Sequence, residues 1–362
     1  HKWQALPMLE QPVAEGEMQP VINPAEPKDI VGHVREASEA EVQLALTSAV
    51  NNAPIWFATP PQERAAYHGM LSCLRELTPS ARIPRLPMET LSTLFFQLRL
   101  DHPEIFWATG YKYKYYPDSP NFIFIPEYLF DKNKIKEHQK ALKSRVEKLA
   151  RPVKDKSEWE KEKYIHDFIC ENIHYDKLKK PYSHEIIGPL GHGVGVCEGI
   201  AKSVKVLCDA LGIWCIIVIS EANPEKKIKY RHAWNIVKIG KTYYHLDATF
   251  DLSLSKTLTR HDYFNLSDDA IFRDHEPIMT DHVPCTDGSH FYYLEKKLSF
   301  TKQEEVKKRA AQAAKKKKPF LFHWRGGYLT REILKKLLIG IEEAAKEKGK
   351  SEFKLDAGST LR

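Results

Sequence analysis

The strongest constraint on what this chain can fold into lies between Gly188 and Asp251. Gly188, Gly191, Gly193 and Gly195 lead into Gly-Val-Cys-Glu-Gly around Cys197. Glycine there lets the backbone take positive φ and pass close to another group. From Cys197 the apolar residues Ile200, Val204, Leu207 and Leu211 recur at spacings of three and four, the pattern of a one-faced helix that Gly212 is placed to end. Three strand-like runs follow: Trp214 to Ser220, His232 to Ile239 and Thr242 to Phe250. Gly240-Lys241 separates the last two, a two-residue loop with glycine first, which predicts a type II′ hairpin.

These elements carry a thiol, an imidazole and a carboxylate. Cys197 falls in the first turn of its helix, where partial positive charge and unpaired N–H groups favour a thiolate. Its backbone N–H can also donate to a developing oxyanion. If Ile239 pairs with Thr242, then Trp234 pairs with Asp247 and His232 with Thr249. His232 and Asp247 then stand diagonally on one face, within reach of a hydrogen bond. Cys197, His232 and Asp247 are the parts of an acyl-transfer site. His232 takes the thiol proton, Asp247 orients the ring, and the thiolate attacks an amide or ester carbonyl to form a thioester that water or an amine resolves.

Gly-Val-Cys-Glu-Gly-Ile-Ala-Lys, then His-Ala-Trp-Asn-Ile-Val, then Tyr-Tyr-His-Leu-Asp-Ala-Thr-Phe-Asp resemble the transglutaminase-like superfamily, a branch of the papain-like thiol enzymes. The similarity runs from about Leu86 to about residue 345. It takes in Asp101 to Trp107, Ile165 to Ile169, Asn172 to Asp176, Gly188 to Leu190 and Asp262 to Asp268. The resemblance implies an α+β fold with the cysteine helix packed on an antiparallel sheet that carries the histidine and aspartate. It implies Cys197 as nucleophile, His232 as base, Asp247 as orienting acid, a protein or peptide substrate and no cofactor. Gly240-Lys241 and Phe250 depart from the family pattern, and neither is expected to touch the three residues.

Residues 1–66 differ from the rest in charge, with four basic residues against nine acidic, whereas the remainder holds 51 against 39. A turn and short strand at Val21 to Val34 precede Ser38 and Glu41, a capping box for a helix through about Asn51. Pro20 to Ala66, including Ala53-Pro-Ile-Trp-Phe-Ala-Thr-Pro-Pro61, resembles the N-terminal edge of an aldehyde dehydrogenase domain of the proline-utilisation type. The later dinucleotide-binding, cysteine-loop and glutamate motifs of that family have no counterpart here, so no NAD chemistry is expected from this segment. The expected organisation is an aldehyde-dehydrogenase-like piece at 1–66, a linker at 67–85, a transglutaminase-like domain at 86–345 and a tail at 346–362.

The remaining motifs read as scaffold. Tyr111, Tyr113 and Tyr115 interleaved with Lys112 and Lys114 can stack on and charge-match a single-stranded nucleic acid, but an edge strand with lysines in water is the expected role. Lys302 to Lys318 predicts a lysine-rich helix with a solvated face. A non-catalytic interaction module using that basic surface is the rival reading. Cys73, Cys170, Cys197, Cys208, Cys215 and Cys285 contain no CxxC pair, which suits neither a zinc ribbon nor a disulfide framework and favours a reducing compartment. His282 and His290 near Cys285 are the best metal candidates, without ligand spacing, and no metal is expected. No apolar run approaches the roughly 20 residues of a membrane span. No signal-peptide pattern is visible, which favours a cytoplasmic location, with secretion as the alternative if the N-terminus is truncated.

Overall fold

The computed structural model describes residues 3–5, 16–256, 258–280 and 282–347. They fall into two compact units, His1–Ile217 and Val218–Arg362.

The first unit opens with a three-stranded sheet in which Glu26–Val34 lies between Trp3–Ala5, parallel to it, and Gln19–Asn23, antiparallel. Helix Glu39–Ala58 follows. Its start is the expected capping box: the Ser38 hydroxyl accepts the Glu41 N–H at 3.3 Å, and the Glu41 carboxylate accepts the Ser38 N–H at 2.8 Å. The Arg35 guanidinium grips the same carboxylate at 2.7 and 2.9 Å and, with the Ser38 N–H, holds it down to about 2. Val42, Leu44, Leu46, Val50 and Phe57 are all exposed, Phe57 by 79%.

Residues 67–85, expected as a linker, are structured instead. Tyr67 lies inside helix Pro61–Glu76, whose Ala66, Met70, Leu71 and Leu74 are buried at helical spacing. The helix packs so tightly on strand Ala81–Pro84 that a Cβ on Gly69 would stand 2.9 Å from the Ile83 side chain. An apolar i, i+4 pattern outweighed the loop-like Thr-Pro-Ser that follows it. Strand Ala81–Pro84 forms one edge of a sheet with Asn121–Tyr128 in the centre and Ala108–Tyr115 on the other edge. Phe95, Phe124 and Tyr111 pack over it. Tyr113 and Tyr115 are exposed, and Lys112 pairs with Glu127 at 2.8 Å.

Helices Lys132–Ala150, Glu158–Asn172 and Cys197–Ala210 complete this unit. Asp131 caps the first, accepting two N–H groups at 3.0 Å. Ser157 and Glu160 cap the second as a reciprocal box. Ile165, Ile169, Ile200, Val204, Leu207 and Cys208 are buried between neighbouring elements.

In the second unit, Phe264–Leu266, Thr242–Leu246 and His232–Ile239 form successive strands of a four-stranded sheet, and the unit boundary falls within its last strand, Cys215–Ser220. The hairpin register is the expected one, with Ile239 opposite Thr242. Gly240 takes φ +62° and Lys241 stays out of the positive-φ region, as a type II′ loop requires. Helices Gln303–Lys315 and Arg331–Lys346 pack together through Val306, Ala310, Leu337 and Ala344, with Lys307 bonded to Glu343 at 2.7 Å. Residues 315–318, the lysine run, are all exposed. Helix Tyr292–Glu295 is a single turn, with Tyr293 buried as its anchor. No helix among the described residues is long and apolar enough to cross a membrane. The expected tail at 346–362 lies outside the described residues from 348 on.

Candidate active site

Cys197 is the first residue of helix Cys197–Ala210, and the preceding Val196 is extended and lends no side-chain cap. At this position the thiol residue's N–H has no intrahelical carbonyl to bond. Close backbone approach explains the glycines around it. A Cβ on Gly188 would stand 2.7 Å from the carbonyl oxygens of Tyr182 and Val194, and one on Gly199 would run into the Ser183 carbonyl. The Ser183 carbonyl also accepts the Val196 N–H at 3.0 Å, which pins the helix entry. Ser183 is itself held by the buried Asp176, which accepts its hydroxyl at 2.5 Å and the Leu178 and Lys180 N–H groups at 3.0 Å.

Behind this helix start lies an ion cluster that the sequence reading missed. The fully buried Lys202 donates to Glu185 and Glu198, each at 2.8 Å. Arg99 pairs with the same two carboxylates, and His184 meets Glu198 at 3.3 Å. Burial pushes the Glu198 carboxyl up, but the Lys202 charge, the His184 hydrogen bond and Arg99 outweigh it and hold it well below the usual carboxylate range. Glu198 and Lys202 are one helical turn apart, the i, i+4 spacing that places opposite charges together. The motif residues of Cys-Glu-Gly-Ile-Ala-Lys therefore anchor the first turn that carries Cys197. Cys197 is partly exposed, while the other five cysteines are buried and all six are free thiols.

In the second unit, His232 and Asp247 meet. His232 Nε2 lies 2.6 Å from Asp247 Oδ2. The route differs from the expected one. Strand pairing stops at Asn235 opposite Leu246, and the run expected as a strand to Phe250 becomes helix Ala248–Leu254. The reason is Asp247 itself, which caps that helix by accepting the Thr249 and Phe250 N–H groups on Oδ1 at 2.9 and 3.0 Å. Asp247 thus leaves the ladder instead of pairing with Trp234, and one carboxylate serves as both cap and histidine partner. Burial pushes its carboxyl up, but the His232 charge and the hydrogen bonds from His232 and His275 hold it well below the ordinary range. His232 stacks on Trp234 at 5.6 Å and packs against Phe250 at 4.9 Å. Phe250, expected to stand clear of the three residues, therefore forms a wall of the site.

His275 was not foreseen. Its Nε2 lies 2.8 Å from Asp247 Oδ2, and its Nδ1 lies 2.8 Å from Asp274 Oδ1. The only signal was the dipeptide Asp274-His275, 28 residues from Asp247 and without periodicity. A second network sits beside it. The Trp234 indole donates to His245 Nδ1 at 3.0 Å, and His245 Nε2 meets Asp268 at 2.8 Å. The indole proton makes Nδ1 the acceptor, so Nε2 carries the ring's own proton and donates it to Asp268. Burial pushes the His245 imidazole down to about 4, against the pull of Asp268.

His232, Asp247 and His275, and likewise His245, Asp268 and His282, lie close enough to suggest metal ligands. The hydrogen bonds argue for protons in these places. His245 Nε2 would have to lose the proton that its Trp234 bond requires, and His275 has a carboxylate on each nitrogen. His282 reaches Asp268 at 3.4 Å while His290 turns to Glu295 at 3.2 Å, so the pair named from sequence splits.

The transglutaminase-like superfamily model matches residues 144–248. The bifunctional protein PutA of Klebsiella aerogenes is 92% identical over 66 residues, 18% of this chain and 5% of that protein. PutA of Escherichia coli (strain K12) is 85% identical over 65 residues, with the same coverage. The chain thus spans about one twentieth of the length of these curated relatives. A crystal structure of a TGase is similar at 12% identity over 55% of this chain and 60% of that one, with a TM-score of 0.29, a likeness too loose to place any residue. The mixture of helices and mainly antiparallel sheets is an α+β fold, and residues 144–248 carry a domain of the transglutaminase-like superfamily.

Proposed function

We propose that the chain transfers acyl groups of protein or peptide amides through a thioester on Cys197, with His232 as base and Asp247 as orienting acid. The observation that carries this reading is the 2.6 Å bond from His232 Nε2 to a buried carboxylate. It supplements the superfamily match, which spans both the cysteine helix and the hairpin. With Nε2 committed to Asp247, Nδ1 is the nitrogen that takes the thiol proton. The thiolate attacks the carbonyl carbon while the Cys197 N–H at the helix start donates to the oxyanion. The protonated His232 then gives its proton to the leaving amine or ammonia, and the thioester remains. Water attacking it completes hydrolysis, and a primary amine completes transamidation.

Incubating the protein with a glutamine-rich protein and a biotinylated primary amine tests both outcomes. Amine incorporation with ammonia release marks transamidation, and new peptide termini or glutamate mark hydrolysis. A Cys197→Ala variant is expected to abolish either product. Equal product from this variant, or none from the wild type over a broad substrate panel, would count against acyl transfer.

A further inference from the structure

His275 is almost wholly enclosed, with about 1% of its side chain exposed, and each of its ring nitrogens faces a carboxylate oxygen at 2.8 Å. A neutral imidazole has one N–H and one lone pair, and a lone pair set against a carboxylate at that distance is repulsive. Asp247 has no proton to offer. Its Oδ1 accepts the Thr249 and Phe250 N–H groups, and its Oδ2 already faces His232. Asp274 accepts the Tyr263 hydroxyl on Oδ2 at 2.7 Å, which leaves Oδ1 as the acceptor facing His275 Nδ1. We propose that His275 is held as an imidazolium between Asp247 and Asp274, and that this Asp274–His275–Asp247 row positions and electrostatically tunes His232. The second half of this proposal rests on the reading of His232 as a base.

The charge count shows what the row does. Two carboxylates and one imidazolium leave a single negative charge beside His232, enough to match the imidazolium that forms when His232 takes a proton. Without Asp274, the His275 charge would cancel Asp247 and leave His232 without a counter-ion. Without His275, two carboxylates would stand uncompensated and His232 would hold its proton too strongly. His232 and His275 share the same Asp247 oxygen, and their ring centroids are 5.4 Å apart, so their charges couple directly. The other groups facing His275 are the rings of Trp234, Phe250 and Tyr263, with the His245 imidazole beyond Trp234. His275 makes no bond to substrate in this scheme and is a positioning residue.

The test is nitrogen-15 NMR of histidine-labelled full-length protein after dialysis against EDTA, with His275 assigned by its loss in His275→Gln. We expect both His275 nitrogens to carry protons at pH 8. A lone-pair nitrogen on His275 at pH 8 would overturn the proposal, even if Cys197 still alkylated rapidly and the acyl-transfer reading stood. Asp274→Asn provides a second variant should His275→Gln fail to fold. In the pH profile of Cys197 alkylation, the limb set by His232 is expected to move up by about one pH unit, a tenfold change, in His275→Gln. It is expected to move down by a similar amount in Asp274→Asn. Shifts in the same direction, or none in either variant, would refute the tuning role, because damage to packing alone has no sign.

Discussion

Asp247 receives His232 and His275 on a single carboxylate oxygen, at 2.6 and 2.8 Å, while its other oxygen caps the helix that begins at the next residue. Local folding and the proposed chemistry therefore depend on the same side chain. Asp247→Ala removes a fully buried acceptor for four donors. It is expected to cost about 3–5 kcal/mol of stability. Asp247→Asn keeps an acceptor for the cap and should cost less while still losing Cys197 reactivity. Urea titrations of both variants against the wild type check the difference.

His245 supplies a pH dependence of stability. Its folded value is depressed to about 4 by burial, below the roughly 6.5 of the unfolded chain. Between these values the unfolded state binds more protons, so stability present at pH 7 is lost as pH falls toward 4, by up to about 3 kcal/mol. His275 has the opposite sign. Burial pushes it down, but its bonds to Asp247 and Asp274 prevail and raise it. Its contribution is complete below about 6.5 and fades as pH rises through the raised value. Urea midpoints at pH 7 and pH 5 should show a drop in the wild type that is smaller in His245→Gln.

Lys202 is expected to be irreplaceable by an apolar residue of its size. Lys202→Met would leave the buried Glu185 and the adjoining Glu198 with Arg99 as their remaining cationic partner in the cluster. A loss of about 3–5 kcal/mol is expected, with slower Cys197 alkylation because Glu198 belongs to the same helical turn. Gly199→Ala should also destabilise, by roughly 1–3 kcal/mol, by forcing the Ser183 carbonyl off the helix entry. Thermal unfolding monitored by circular dichroism checks both.

Helix Glu39–Ala58 exposes Val42, Leu44, Leu46, Val50 and Phe57, so these five apolar side chains contribute little to the core of this chain. Deleting residues 1–58 is expected to leave the unfolding free energy of the remainder within about 1 kcal/mol of the full chain's and to lower binding of a hydrophobic dye. The cut has to stop there, because Ala66 and Met70 of the next helix are buried. A deletion that unfolds the whole chain would contradict this account.

Much of the architecture was legible in periodicity and caps. The helix at Cys197 showed itself by apolar spacing, the hairpin by Gly240-Lys241, and the helix starts at Ser38 and Ser157 by their glutamates three residues on. What escaped notice depends on contacts distant in sequence. Arg99 reaches Glu185 across 86 positions, and His275 reaches Asp247 across 28. The end of the second hairpin strand was missed for a local reason. Tyr-His-Leu-Asp-Ala-Thr-Phe alternates well enough for a strand, but an aspartate followed by free N–H groups is also a helix cap, and here the cap prevails.

The most direct test of the central claim is the rate of iodoacetamide alkylation at Cys197 between pH 4 and 9, with peptide mapping and a His232→Ala control. The other five cysteines are buried, and burial pushes Cys285 up to about 12, so they should label slowly in the folded protein. Rapid Cys197 labelling is expected at pH 6, falling at least tenfold in His232→Ala. Labelling that is equally slow in both proteins, and rises only near the roughly 8.5 at which an ordinary thiol ionises, would contradict it.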